Sequence, residues 1–294
     1  MSGSILVTGA TGNIGYHVVL ELAAKKEKIR VAVRNPKKEK ETFAGLEVDL
    51  VEFDFLNPDT YEKALEGVKK VFLIRPPQLA KPKQEMQPFI NLLIQKKIEQ
   101  IVFVSLMGVE KNPIVPHRKI EDMIRESGIA YTFLRPGFFM QNLNTTHRED
   151  IAVRNELFMP VGFAKTSFID TRDIASVAAV CLTEDGHLWR SYTLTGNKAI
   201  DYYEVAEILS KTLERKIEYK NPGIFEFRRT IIKRGTKKEF ANVMTMLYVL
   251  TRLGTAEKVT SEVEKILRRP PISFEQYAKD YQNDWSEETC FFHM

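Results

Sequence analysis

The sequence predicts a doubly wound α/β fold, in which a parallel sheet is covered by helices on both faces, with a small and mainly helical C-terminal lobe. Three observations predict it. Apolar runs of strand length alternate with stretches of helical spacing along the first half of the chain, which is the pattern of successive βα units. The first run, Ile5-Leu6-Val7, enters a turn with glycines at positions 9, 12 and 15, and helical spacing (Ile14, Val18, Leu22) starts at once. Beyond residue 150 the alternation becomes irregular, and from 214 onward helical spacing prevails.

Taken in order, Ile29–Val33 is the second strand and residues 46–53 the third. Residues 57–69 read as a helix, 70–74 as a fourth strand stopped by Pro76-Pro77, 86–97 as a helix and 100–105 as a fifth strand. Residues 116–127 form a helix ended by Gly128, and 131–135 a sixth strand ended by Pro136-Gly137. Residues 167–169 enter a helix over 174–182; 191–194 is a further strand and 202–213 a further helix. These elements divide the chain into a nucleotide-binding domain over 1–195, with 141–165 contributing to a substrate cleft, and a substrate lobe over 196–294. In the lobe, Phe240, Val243, Leu247 and Leu250 share one face of a helix, broadened by Met244, Met246 and Tyr248. That face is expected to form the lobe's core, with a substrate lid or a dimer contact as the alternative.

The glycine turn carries the chemistry. Glycines let backbone N–H groups approach a ligand closely, and the start of the following helix offers unpaired N–H groups and a partial positive charge. A pyrophosphate suits that environment. The strand–turn–helix context makes a dinucleotide the expected ligand, held by Gly9, Thr11, Gly12, Asn13 and Ile14, and an ordinary glycine-rich turn is the plain alternative. Where NAD-binding units place an acid after the second strand, this chain has Arg34, with Lys38 nearby. A guanidinium binds a 2′-phosphate that a carboxylate would repel, so NADP(H) is expected rather than NAD(H).

Ligands of such sheets lie at the carboxyl ends of the strands. The further cofactor candidates are therefore Asp54, Phe55, Ile74, Arg75, Pro76, Ser105, Pro136, Gly137 and Phe139. Asp54 is positioned to accept from an adenine amino group with Phe55 beside the ring, although the pair fits a helix N-cap region or a solvated turn equally well. Arg75 suits a cofactor or substrate phosphate, or plain solvation.

A chain of 294 residues with 44% apolar content has ample core for this plan. The net charge of +4, read as spread along the chain, singles out no polyanionic partner, and no motif suggests nucleic-acid binding. Two distant cysteines, Cys181 in an apolar helical stretch and Cys290 near the C-terminus, make no disulfide framework, so a cytoplasmic location is expected. No apolar run has the ~20 residues of a membrane span, and no membrane partner is expected. The five histidines form no close pair, so no metal site is expected. The oligomeric state is open, a homodimer being one arrangement.

The chain resembles the NmrA-like group of atypical short-chain dehydrogenases/reductases. The resemblance rests on residues 8–15, on Arg34-Asn35-Pro36, on residues 127–132 (Ser-Gly-Ile-Ala-Tyr-Thr), and above all on residues 134–142 (Leu-Arg-Pro-Gly-Phe-Phe-Met-Gln-Asn). Phe168-Ile169-Asp170, Asp173-Ile174-Ala175, Leu194-Thr195-Gly196 and Pro271-Ile272-Ser273-Phe274 add to it. It implies a Rossmann domain, NADP(H) binding and a small C-terminal lobe; NADPH-dependent quinone reductases have the most similar pattern. Ordinary short-chain dehydrogenases use Tyr-x-x-x-Lys as their acid/base, and this chain has none. His117 stands where the ether- and isoflavone-reductase branch has a lysine. It is the catalytic candidate, as a donor to the ribose or to the acceptor oxygen, or else a structural histidine at a helix start. Reduction of a quinone or similar conjugated carbonyl demands least of such an apparatus, because the product anion is delocalised. Phe138, Phe139 and Met140 are candidate walls of an apolar slot, with core packing as the alternative for at least one. A non-enzymatic NADP(H) sensor is the competing reading.

Overall fold

Parallel strands cannot be joined by tight hairpins, so each return along the sheet requires a crossover, and this chain supplies helices for them. The computed structural model describes residues 3–286. In chain order the first elements are β1 (Ser4–Val7), α1 (Gly15–Ala24), β2 (Ile29–Val33), β3 (Val48–Glu52), α2 (Tyr61–Ala64) and β4 (Val68–Ile74). They continue with α3 (Pro82–Glu85), α4 (Gln87–Gln95), β5 (Gln100–Val104), α5 (Pro116–Glu126), β6 (Ala130–Pro136) and β7 (Phe138–Phe139). Then come α6 (Arg148–Ala152), β8 (Glu156–Leu157), β9 (Phe168–Ile169), α7 (Thr171–Thr183), β10 (Arg190–Leu194) and α8 (Tyr202–Thr212). The last are β11 (Glu218–Tyr219), α9 (Ile224–Lys233), α10 (Lys238–Arg252), α11 (Glu262–Leu267) and α12 (Phe274–Asp280).

The chain divides into two compact units that interleave: Met1–Pro136 with Thr171–Leu194 and Glu262–Arg269, and Gly137–Asp170 with Thr195–Ser261 and Pro270–Met294. The first unit therefore takes back 262–269, and the second begins at 137, instead of one division after residue 195.

The first unit holds a seven-stranded sheet in the order β10-β6-β5-β4-β1-β2-β3, parallel throughout. The expected doubly wound fold is present, and chain order reverses between β1 and β4. Strands buried on both faces read as unbroken apolar runs: every residue of β5 is buried. Its one polar member, Gln100, is satisfied by donating to Thr132 Oγ1 and to the Cys181 carbonyl. Cys181 itself is buried, and burial pushes its thiol up to about 12; Cys290 lies outside the described residues. The helix expected over 57–69 is reduced to a 3-10 turn, Pro58–Thr60, and the single turn of α2, because Gly67 takes φ +71 and Val68 already pairs in β4.

One ion pair anchors α5 to the sheet. Arg135 in β6 grips the fully buried Glu121 of α5 through two hydrogen bonds of 2.9 and 2.7 Å, and Arg125 adds a third. Arg135 belongs to the segment that carries the family resemblance, and its part here is structural.

In the second unit β7 pairs in parallel with β9, and β8 with β11. Its core gathers Phe158, Tyr202, Phe227, Tyr277 and Trp285 among others. The buried face of α10 is Ala241, Met244, Tyr248 and Thr251. The stripe Phe240, Val243, Leu247 and Leu250, expected to be core, is exposed. Tyr248 decides the rotation: its hydroxyl hydrogen-bonds buried His147, and its ring packs against Phe138 and Phe227. Among the described residues no helix is long and apolar enough to cross a membrane.

Removing one partner of a buried ion pair strands the other charge. Arg135→Met is expected to lower the unfolding free energy by roughly 3 kcal/mol, read by urea denaturation; a loss below ~1 kcal/mol would show that Arg125 alone suffices to hold Glu121.

Candidate functional site

Because all seven strands run the same way, their carboxyl ends lie along one edge of the sheet, and the candidates of the first unit follow those ends. After β1, Thr8 clamps the edge shut: its hydroxyl donates to the Phe72 carbonyl and accepts from the Ile74 N–H, joining β1 to β4. Gly9 then takes φ +63 with the Ile74 side chain close by, so the turn tightens where only glycine is unstrained. The Gly12 N–H donates to the Gly9 carbonyl at 3.0 Å. A Cβ on Gly15 would lie 2.2 Å from that same carbonyl oxygen, so the first turn of α1 rests directly on the loop. A Cβ on Gly12 would meet only the Gly9 oxygen, at 3.3 Å, and otherwise point into open space.

Thr11, Gly12 and Asn13 are exposed, whereas Ile14 is buried in the core and contributes its backbone alone. No side chain caps α1, and its first turn holds no acid. The partial positive charge of the helix start is thus not neutralised from within its own first turn.

Arg34 follows β2 and is exposed, as is Lys38. Asn35 shapes the loop between them by accepting from the Lys37 and Lys38 N–H groups. After β3, Asp54 is half-buried; one of its carboxylate oxygens accepts from the Leu56 N–H, and its own N–H donates to Thr60. Phe55 is a correction. Its ring is buried and packs edge-on against Phe53 and Phe89, so it belongs to the core and offers no open face to an adenine.

Arg75, after β4, has a structural part as well. It is half-buried and one terminal nitrogen donates to the carbonyls of Pro76, Pro77 and Leu79, stapling its own loop, while its buried Nε has no hydrogen-bond partner. Neither Pro nor the strand ladder can fix that loop, because Pro76 and Pro77 lack N–H donors; the guanidinium does so from the side.

Ser105 ends β5. Its N–H donates to the Leu134 carbonyl at 2.7 Å, but its buried hydroxyl has no hydrogen-bond partner. A native hydroxyl left unsatisfied in the interior is uncommon, and one at this edge is what a bound ligand would satisfy. Pro136 ends β6, its carbonyl accepting from Met107. His117, in the first turn of α5, lies 6.1 Å from the Phe103 ring. Burial, and then the Arg75 guanidinium, pull its pKa down to about 4. The imidazole is therefore neutral at physiological pH, able to donate from one nitrogen and accept at the other, but with no proton held in reserve.

Gly137 and Phe139 belong to the second unit. Phe138 and Phe139 form β7 and are partly exposed, while Met140 is core. Sequence reasoning missed the Thr8 clamp, the Arg75 staple, the Arg135–Glu121 grip and the His147–Tyr248 pair. The Thr8 clamp and the His147–Tyr248 pair join residues 64 to 101 positions apart, the Arg135–Glu121 grip joins a strand to a helix, and the Arg75 staple depends on loop shape; only the Thr8 hydroxyl, directly after a strand, has a local signal.

Comparison with known proteins follows the same lines. The sequence model of the NmrA-like family matches residues 1–278. The prestalk A differentiation protein A of Dictyostelium discoideum is 34% identical over 94% of this chain and 92% of its own length. The NAD(P)H azoreductase of Xenophilus azovorans is also 34% identical, over 94% of this chain and 96% of its own. Among solved structures, the NADPH-dependent quinone oxidoreductase of Escherichia coli complexed with NADPH superposes with a TM-score of 0.85 at 24% identity, covering 95% of this chain and all of its own, which is a likeness of fold.

The depressed pKa of His117 has a consequence for stability. An unfolded histidine takes up its proton near pH 6.5, and the folded one only near 4. The unfolded state therefore binds more protons between those values, so His117 contributes stability above about pH 6.5 that is lost as pH falls toward 4. His117→Gln should melt with a shallower decline between pH 7 and pH 5 than the wild type; identical declines would place His117 in solvent.

Proposed function

The chain belongs to the NmrA-like family, and on that premise we propose that it is an NADPH-dependent oxidoreductase that reduces a quinone or a similar conjugated carbonyl. The observation that carries this reading is the uncapped, acid-free start of α1 on its glycine turn, with Arg34 exposed after the neighbouring strand. In this reading the backbone N–H groups of residues 9–14 hold the pyrophosphate, and Arg34 with Lys38 holds the 2′-phosphate. Asp54 accepts from the adenine amino group, and the Ser105 hydroxyl finds in the ligand the partner it lacks in the protein. Ile74 and Pro136 frame the site by their backbone, and Arg75 keeps the loop after β4, with Pro76, in shape. The azoreductase relative supports a reductase role.

The bound dinucleotide supplies hydride. His117, kept neutral, orients the ribose or the acceptor oxygen by donating an N–H. A neutral imidazole is a weak acid, which suits an acceptor whose reduced anion is stabilised by its own π system. No Tyr-x-x-x-Lys pair exists to protonate an aliphatic alkoxide. In this reading the small-molecule acceptor is a quinone or a similar conjugated carbonyl.

Three measurements bear on this. Purified protein should oxidise NADPH with a panel of quinones, and Gly12→Val, whose side chain enters space instead of protein, should reduce NADPH affinity at least ~10-fold while leaving the melting temperature within a few degrees. Arg34→Asp should weaken NADPH binding by ~10- to 100-fold, the equivalent of one or two lost charge-assisted bonds, and strengthen NADH binding, because a carboxylate there accepts from the ribose hydroxyls; equal NADH binding by variant and wild type would overturn the assignment. His117→Ala should lower turnover with little change in cofactor affinity. Tight NADPH binding with no turnover on any acceptor would replace the reductase with an NADP(H) sensor.

A further inference from the structure

The exposed stripe of α10 is part of a larger feature confined to the second unit. Phe240, Val243, Leu247 and Leu250 recur at the spacing that places them on one helix face, and all are exposed, with Met246 and Leu253 beside them. On the adjoining α9, whose Arg228 donates to Asn242 of α10, Phe225 is 88% exposed. An apolar surface of this extent is uncommon on a solitary soluble domain and marks something that covers it.

Charge indicates what. Residues 224–258 contain eight Lys or Arg and three Asp or Glu, a net +5, so the rest of this +4 chain is close to neutral at −1. The positive charge that reads as spread along the sequence is concentrated here. Arg234 is used internally, paired with Asp150 and Glu156. Arg229, Lys233, Lys237 and Lys238 are exposed, Arg229 and Lys233 at i+4 and i+8 from Phe225 on α9, whereas Arg252 lies beside Gly162. Two of the three carboxylates, Glu226 and Glu239, sit in the first turns of α9 and α10, where the helix start favours them.

We infer that the α9–α10 face docks on an anionic lipid surface, with Phe225, Phe240, Leu247 and Leu250 entering the headgroup boundary and the basic side chains meeting lipid phosphates. Apolar residues on one face with lysine and arginine around them are what an in-plane interfacial element requires. A second copy of the chain is the less suitable occupant, since self-pairing would set the exposed Arg229, Lys233, Lys237 and Lys238 of one copy against those of the other. The sequence expectation of no membrane partner rested on the lack of a spanning run, and a face that lies on a surface needs none. The inference goes beyond the proposed reductase activity and does not rest on it.

The test is co-sedimentation of the full chain with vesicles of phosphatidylcholine containing phosphatidylglycerol, and with vesicles of phosphatidylcholine alone. The protein should bind the anionic vesicles, at least ~10-fold more weakly after salt is raised to screen the headgroups, and should leave the neutral ones in suspension. Phe240→Glu/Leu247→Glu and, separately, Arg229→Glu/Lys233→Glu should each weaken binding at least ~10-fold while circular dichroism and reduction of a water-soluble quinone stay at wild-type levels. Phe225→Glu, at a position too exposed to affect folding, should weaken it as well. Absence of binding to anionic vesicles at low salt overturns the inference, as does binding that Phe240→Glu/Leu247→Glu leaves intact. So does a dimer, seen by sedimentation velocity, that the same double variant dissolves. The vesicle measurement reads no turnover, so its failure and that of the reductase assay are distinguishable.

Discussion

The seating of α1 on the turn that precedes it governs the geometry of the first unit. Gly15 has no room for a side chain, because the Gly9 carbonyl oxygen would stand 2.2 Å from its Cβ. That contact sets how closely the helix start approaches the end of β1. Thr8 then ties β1 to β4 at the same level, which is where chain order in the sheet reverses. The uncapped start of α1 and the left-handed Gly9 lie at that switch point and are tied to one close backbone approach.

The neighbouring strand ends use charged side chains for shape and leave others open for binding. Arg135 is spent on a buried carboxylate and one terminal nitrogen of Arg75 on loop carbonyls, whereas Arg34 stays exposed. Position alone does not separate the two kinds of arginine; local satisfaction does. The Arg75 guanidinium also acts at a distance, since its charge adds to burial in holding His117 neutral. Loop shape after β4 and the protonation state of α5's first turn are thereby linked through one side chain.

The C-terminal half shows where periodicity loses its meaning. On α10 the set 240, 243, 247, 250 and the set 241, 244, 248, 251 have the same spacing and differ by a rotation of ~100°. Both are largely apolar, so spacing cannot choose between them. Tyr248 chooses, because its hydroxyl has a buried partner in His147 and its ring has neighbours in Phe138 and Phe227. A phenol that must satisfy its O–H inside a core fixes the helix more firmly than four aliphatic side chains that merely prefer to be dry.

The sequence by itself determined the alternation of strands and helices, the parallel sheet, the glycine turn and the basic residue after β2. Each follows from local chemistry: strand length, helical spacing, backbone freedom at glycine and the sign of one charge. Residues 137–170 join the second unit and 262–269 return to the first by contacts that no local pattern encodes. Phe55 turned inward to Phe53 and Phe89 instead of outward, and α10 rotated its expected core face to the exterior, for the same reason. Burial is a competition among all apolar groups for limited interior volume, and polar groups that need partners settle it, so its outcome is decided only once the distant parts of the chain are packed together.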